Sequence, residues 1–256
     1  MTLQYLKRDG KPDLAYRATK SSEKGQNLPC LVFLGGFKSD MEGTKAVYLE
    51  EKCKERGQAY IRFDYSGHGS SDGDFVDGTI GIWRDDALDI IDALTQGPMI
   101  LTGSSMGGWI SFLVADRLGE RVKGIVGIAA APDFTKNVEN EMSAAQKLEM
   151  EDKGFIAVAN DYSDEPYIFT KALIEDGAEN SFLEKGLDIT VPVRLVQGMK
   201  DTDVEWQTAH RIKNALRHTD VHVSLLENSD HRMSQDTDLE VINAQIEHIL
   251  GFNTAQ

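Results

Sequence analysis

Residues 103–107 read Gly-Ser-Ser-Met-Gly, a match to the pattern G-x-S-x-G. An apolar run (Met99 to Thr102) leads into it, and a segment of helical period (Met106 to Leu118) leads out. A serine between a strand end and a helix start is held on a sharp turn, with its hydroxyl exposed beside the helix N-terminus. The glycines at 103, 107 and 108 let the two backbones approach closely. Ser105 is therefore the candidate nucleophile. The pattern occurs a second time, as Gly-Ser-Ser-Asp-Gly at Gly69 to Gly73. The residues from Asp72 to Gly78, Asp-Gly-Asp-Phe-Val-Asp-Gly, are turn chemistry without helical period, so Ser71 reads as a loop serine.

A serine hydroxyl is a weak nucleophile at neutral pH. It needs a general base within hydrogen-bond reach, and the base needs an orienting acid. Downstream of Ser105, the strand Val-Arg-Leu-Val ends in Gln-Gly-Met-Lys-Asp-Thr-Asp-Val, which offers Asp201 and Asp203. The strand Val-His-Val-Ser-Leu-Leu ends in Glu-Asn-Ser-Asp-His-Arg-Met, which offers His231. His210, His218 and His248 fall on helices or their ends, His222 within a strand, and His68 in a glycine-rich loop. Only His231 lies in a post-strand loop downstream of both the serine and the acid, so it is the expected base. Asp201 is preferred to Asp203 because it comes first after the Gly198 turn. His68 is expected in a structural corner, with the site rim as its other option.

Attack on a carbonyl produces an oxyanion that needs two donors. One is expected from the backbone N–H of Met106, directly after the nucleophile. The other is expected from the loop Leu-Gly-Gly-Phe-Lys-Ser-Asp, where Gly35 and Gly36 let the chain fold under a substrate and present the Phe37 N–H. An ordinary strand-to-helix turn is the plain alternative for that loop.

These residues need elements to hold them. Short strands are expected near Gln4–Lys7 and Leu14–Thr19, then buried strands at Leu31–Leu34, Ala59–Phe63, from Met99, at Val122–Ala130, Val193–Val196 and Val221–Leu225. Helical spacing covers 41–56, 79–94, 106–118, 205–216 and 235–250. In the second of these Trp83, Ala87, Ile90, Ile91 and Leu94 share one face. Strands alternating with helices predict an α/β fold with a mostly parallel sheet covered on both faces. From about 133 to 185 the alternation weakens, and this stretch reads as a helical, irregular insertion over the carboxyl edge of the sheet, where such folds bind ligands. The expectation is one domain over 1–256 with this insertion as a cap.

The chain has 256 residues and a formal net charge of −15. An acidic surface is repelled by nucleic acid and by anionic membranes, so neither is expected as a partner. Cys30 and Cys53 are not in C-x-x-C spacing, which disfavours metal and redox roles. No stretch approaches 18 apolar residues and the N-terminal residues carry no apolar signal core, so no integral membrane association is expected. The expected location is the cytoplasm, with the mitochondrial matrix as the alternative.

The segments Phe33-Leu-Gly-Gly-Phe-Lys-Ser-Asp-Met-Glu-Gly-Thr-Lys-Ala46, Ile61-Arg-Phe-Asp-Tyr-Ser-Gly-His-Gly-Ser-Ser-Asp-Gly73, Leu101-Thr-Gly-Ser-Ser-Met-Gly-Gly-Trp109, Arg194-Leu-Val-Gln-Gly-Met-Lys-Asp-Thr-Asp-Val-Glu-Trp206 and Asn228-Ser-Asp-His-Arg-Met233 resemble one group of the α/β-hydrolase superfamily. That group is the mitochondrial palmitoyl-protein thioesterases, also described as mycophenolic acid acyl-glucuronide esterases, and their bacterial relatives. The resemblance is strongest at 31–115 and 191–233 and weakest over 133–190. It implies an α/β-hydrolase fold, with Ser105, Asp201 and His231 as the catalytic triad. It also implies activity on long-chain acyl thioesters and activated oxygen esters, with no metal and no organic cofactor. Two positions depart from patterns common in the superfamily: Gly35-Gly36 stands where His-Gly often precedes the oxyanion donor, and Val204-Glu205 where Val-Pro often follows the acid.

The main reading is thus a serine hydrolase of acyl esters or thioesters. The alternatives are a peptide or C–C hydrolase using the same residues, and an inactive ligand-binding module of the same fold, since fold alone does not set the reaction.

Overall fold

In the computed structural model, which describes residues 1–160, 165–217 and 220–254, the apolar runs build one eight-stranded sheet. Its strands are β1 (Gln4–Leu6), β2 (Leu14–Thr19), β3 (Cys30–Leu34), β4 (Tyr60–Phe63), β5 (Met99–Ser104), β6 (Val122–Ile128), β9 (Val193–Gly198) and β10 (Val221–Leu226). The spatial order is β1-β2-β4-β3-β5-β6-β9-β10. β1 and β2 pair antiparallel, as do β2 and β4; every pairing from β4 to β10 is parallel.

Side chains alternate across a strand, and here both faces are apolar. Val32 and Leu34 of β3, with Met99 and Leu101 of β5, pack toward α2 (Ile80–Leu94), α3 (Met106–Leu118) and α7 (Gln207–Ala215). Leu31, Phe33 and Ile100 pack on the opposite face, against Ala46, Leu49 and Cys53 of α1 (Thr44–Arg56) and Ile242, Ile246 and Ile249 of α8 (Asp236–Thr254). The expected inward face of α2 holds for Trp83, Ala87, Ile90 and Ile91, while Leu94, in its last turn, is only half-buried. Thr79 caps that helix by accepting the Ile82 amide at 3.3 Å.

The chain runs from β3 through α1 to β4 on one side, then through α2 to β5 on the other side of β3. The carboxyl ends of β3 and β5 therefore diverge, and a crevice opens between them at a topological switch point. The loop at Gly35–Lys38 leaves β3 there, and Ser105 leaves β5 beside it.

The stretch after β6 is more regular than the sequence suggests. It contains α4 (Phe134–Glu141), α5 (Ala144–Lys153), a two-stranded antiparallel hairpin of β7 (Phe155–Val158) and β8 (Tyr167–Thr170), and α6 (Lys171–Glu179). The hairpin is not foreseen by the sequence pattern, because each strand is four residues long and too short to show a period. The two ends of the insertion are tied to each other and to α2. Asp133 accepts the Phe182 and Leu183 amides at 3.0 and 3.1 Å, and Asp176 of α6 accepts the Gly81 amide at the start of α2 at 2.7 Å. Met150, Ile156, Phe169 and Leu173 join the core beneath it, whereas Leu148 and Phe155 are exposed. Tyr162, one of the aromatic residues of this stretch, and His218 lie outside the described residues.

Candidate active site

Ser105 stands alone between β5 and α3, at φ 54° and ψ −119°. A side chain in the positive-φ region costs on the order of 1–3 kcal/mol and persists only where its surroundings impose it. They do so here. The Ser105 amide donates to the Ile128 carbonyl at 2.9 Å, and its carbonyl accepts the Gly108 and Ala131 amides at 2.9 and 3.0 Å. The flanking glycines are required by space. A Cβ at Gly103 would lie 2.1 Å from the Gly107 oxygen, and one at Gly107 would lie 2.1 Å from the Leu34 oxygen. The second G-x-S-x-G match is different in kind. Ser71 Oγ accepts the Ala15 amide at 2.8 Å and donates to the Asp64 carbonyl at 2.6 Å, so its hydroxyl is consumed in joining β2 to the glycine-rich corner.

The loops after β9 and β10 bring the other two expected residues to Ser105. His231 Nε2 lies 3.0 Å from Ser105 Oγ, and His231 Nδ1 lies 2.8 Å from Asp201 Oδ2. A carboxylate only accepts, so Nδ1 carries the proton and Nε2 is left to accept the serine hydroxyl. The Asp201 carboxylate is fully buried. Its Oδ1 accepts the amides of Asp203 and Val204 at 2.9 and 2.8 Å, and Gln197 Nε2 donates to Oδ2 at 2.8 Å. Asp203 is exposed on the cavity wall, and its amide braces Asp201. The two loops meet closely at Gly198, where a Cβ would lie 2.3 Å from the Ser229 oxygen.

The loop after β3 runs along the other side of Ser105. A Cβ on Gly36 would lie 3.4 Å from Ser105 Cβ. Among the described residues, neither the Phe37 amide nor the Met106 amide meets a protein acceptor. The Phe37 ring turns inward, stacked on Phe169 at 5.2 Å and edge-on to Phe75, Trp83, Phe134 and Tyr167. His68 lies behind this loop and does not reach the cavity wall; burial pushes its pKa down to about 4.

These groups open onto a cavity of about 590 Å³. The rings of Phe37, Phe134, Tyr167 and Phe169, in contact with one another, give it an apolar side, and Met106 and Val138 also line it; Lys38, Asp40, Lys45 and Arg232 add polar groups to the lining. Lys45 donates to the Arg232 carbonyl, and burial pulls its ammonium down to about 8. Sequence pattern does not reveal Phe134, Val138 or Lys45 as site residues; each lies on a helix whose period marks a face but not the neighbour that face meets. Met142 and Met150, the methionines of the insertion, do not line the cavity. Asp201, Asp203 and His231 place donor atoms within 4.8 Å of one another, the one such grouping among the described residues. Both His231 nitrogens and both Asp201 oxygens are engaged in hydrogen bonds, which a cation there would have to displace.

A mostly parallel sheet flanked by helices, with a strained serine at the end of a central strand, defines a class: the chain belongs to the α/β-hydrolase fold family, whose description matches residues 30–168. It is an enzyme of the hydrolase class. Within that class the chain is 39% identical over 250 residues to the palmitoyl-protein thioesterase ABHD10, mitochondrial, of Bos taurus, covering 97% of this chain and 80% of the relative. Among solved structures it is similar to alpha/beta hydrolase domain-containing protein 10 from mouse, at 36% identity and a TM-score of 0.90, covering 98% of this chain and 99% of that one. It is also similar to a putative hydrolase from Agrobacterium vitis S4, at 36% identity and a TM-score of 0.92, covering 97% and 98%. The cattle relative is named as mitochondrial, which lends the cytoplasmic expectation no support and agrees with the matrix alternative. No helix among the described residues is long and apolar enough to cross a membrane.

Proposed function

We propose that this chain hydrolyses acyl thioesters and activated carboxylic esters through an acyl-enzyme on Ser105. The observation that carries the reading is the hydrogen-bonded line from Asp201 through His231 to Ser105, ending in a cavity with an apolar side. His231 Nε2 takes the hydroxyl proton as Ser105 Oγ attacks the carbonyl carbon. The Phe37 and Met106 amides receive the charge that forms on the carbonyl oxygen, a contribution on the order of 10²–10³ in rate per donor. Asp201 holds the ring in the required tautomer and stabilises the imidazolium. The imidazolium protonates the leaving thiol or alcohol, and the bond between carbonyl carbon and leaving atom breaks. Water, deprotonated by the same nitrogen, then attacks the acyl-enzyme; the bond between the acyl carbon and Ser105 Oγ breaks, Nε2 returns the proton to Oγ, and the carboxylic acid leaves as its carboxylate.

The insertion supplies the acyl-chain side. Phe134, Val138, Tyr167 and Phe169 come from α4 and β8, and burying a methylene against such a wall is worth about 0.8 kcal/mol at most. The substrate class we assign is long-chain acyl thioesters of the kind named in the cattle relative, acting in the mitochondrial matrix.

The test combines a fluorophosphonate probe with a substrate panel. The probe is expected to label the protein at Ser105 and to leave Ser105→Ala unlabelled. A palmitoyl thioester and short p-nitrophenyl esters are expected to turn over, and aminoacyl amides are not. Preference for the amides would move the reaction to peptide bonds. A protein that neither labels nor turns over any of them would be a binding module.

A further inference from the structure

His68 takes no part in the proposed mechanism, yet its surroundings define its state. It is 2% exposed, with the rings of Tyr65, Phe75 and Trp83 set around it at 5.6, 5.1 and 5.0 Å. Each ring nitrogen faces a group that can do only one thing. The Ser66 carbonyl, 3.2 Å from Nδ1, can only accept; the Lys38 amide, 3.2 Å from Nε2, can only donate. The ring is therefore neutral, with its proton on Nδ1. Its anchor is itself fixed: Trp83 Nε1 donates to the Ser66 carbonyl at 3.1 Å, and Asp86 accepts the Ser66 amide and hydroxyl at 2.8 and 2.6 Å.

The Lys38 amide belongs to the peptide directly after Phe37. Lys38 is at φ 52°, a conformation that a residue with a side chain rarely adopts unaided. The peptide before Phe37 is held from the other end. The Gly36 carbonyl accepts from the Ser39 amide and hydroxyl at 3.3 and 2.8 Å. Across a trans peptide the C=O and N–H point in opposite directions, so a fixed Gly36 carbonyl fixes the direction of the Phe37 N–H. With both flanking peptides anchored and its ring packed among aromatics, Phe37 is held on both sides, and among the described residues its amide meets no acceptor.

We infer that His68 is a positioning residue for the oxyanion site: its neutral Nε2 accepts the Lys38 amide and so holds the Phe37 amide at the substrate carbonyl oxygen. This rests on the roles proposed for Ser105 and Phe37.

Three substitutions test it. His68→Gln keeps an acceptor at the reach of Nε2. His68→Asn is equally polar, but its oxygen stops near the Nδ1 position. His68→Phe keeps the ring and removes the acceptor. With a short p-nitrophenyl ester, the Asn and Phe variants are expected to lose about 10- to 100-fold in kcat, less than outright removal of an oxyanion donor, with KM within about threefold of the parent. The inhibition constant of a trifluoromethyl ketone, which forms a tetrahedral adduct with the serine, is expected to weaken in parallel. The Gln variant is expected to recover kcat to within about threefold of the parent. Parental kcat in the Phe or Asn variant, or equal kcat losses in the Gln and Asn variants, would overturn the inference. If the Phe variant does not fold, the Gln and Asn pair decides the matter. Ester turnover that survives in Ser105→Ala would instead sink the proposed function, so the two failures are distinguishable.

Discussion

Asp201 meets His231 through Oδ2 at 2.8 Å, while the amides of Asp203 and Val204 hold its Oδ1 at 2.9 and 2.8 Å. Oδ2 thus meets both the ring and Gln197 Nε2, and Oδ1 is spent on fixing the carboxylate. Asp201→Asn preserves most of this shape but favours the wrong imidazole tautomer, and is expected to lower kcat by about 10³–10⁴. Asp203→Asn leaves the bracing amide in place and is expected to change kcat by less than about tenfold. Steady-state kinetics on a short ester would check both; the opposite ranking would transfer the orienting role to Asp203.

Ser71 shares its motif with Ser105 and none of its setting. Ser71→Ala removes the acceptor for the buried Ala15 amide, and is expected to cost about 1–3 kcal/mol in urea unfolding while kcat stays near the parental value. Loss of probe labelling in a folded Ser71→Ala protein would contradict this division of roles.

The acyl-chain reading makes a demand on Val138, which lines the cavity from α4. Across a soluble thioester series, kcat/KM is expected to rise by up to about fourfold per methylene until the apolar side is filled. Val138→Asn is expected to flatten that rise and to spare acetyl esters. Equal rates for acetyl and octanoyl thioesters in the parent protein would show that this wall does not bind the acyl chain.

Two buried groups near the glycine-rich corner give opposite pH dependences of stability. Burial lowers the His68 pKa from 6.5 to about 4. The unfolded chain therefore binds more protons between those values, and the stability present above about pH 6.5 falls on acidification by up to about 3 kcal/mol. Burial raises the Asp64 pKa from 3.8 to about 6, so its contribution runs the other way: present below the unfolded value and lost as pH rises through about 6. The destabilisation caused by His68→Gln is accordingly expected to be smaller at pH 4.5 than at pH 6.5, as read from denaturant unfolding. That caused by Asp64→Asn is expected to be larger at pH 4.5. A pH-independent difference for His68→Gln would mean that the histidine titrates normally in the folded protein.

The sequence by itself determined the alternation of strands and helices, the strand-serine-helix position of Ser105, and the order serine, acid, histidine. These rest on short-range physics: side-chain period, glycine at turns, and apolar runs of limited length. Distance from the Gly198 turn singled out Asp201 over Asp203 as the proposed acid, and in the structure Asp201 is the carboxylate that His231 meets. Tertiary structure alone decided the rest. Ser71 became structural through Ala15, 56 residues away, and His68 met the Lys38 amide across 30 residues. The cavity wall was settled by α4 and β8 folding over the crevice, which put Phe134 and Val138 inside and left Met142 and Met150 off it. A helical or strand period says which face of an element is apolar. What that face meets depends on elements packing from distant parts of the chain, and no local pattern encodes that contact.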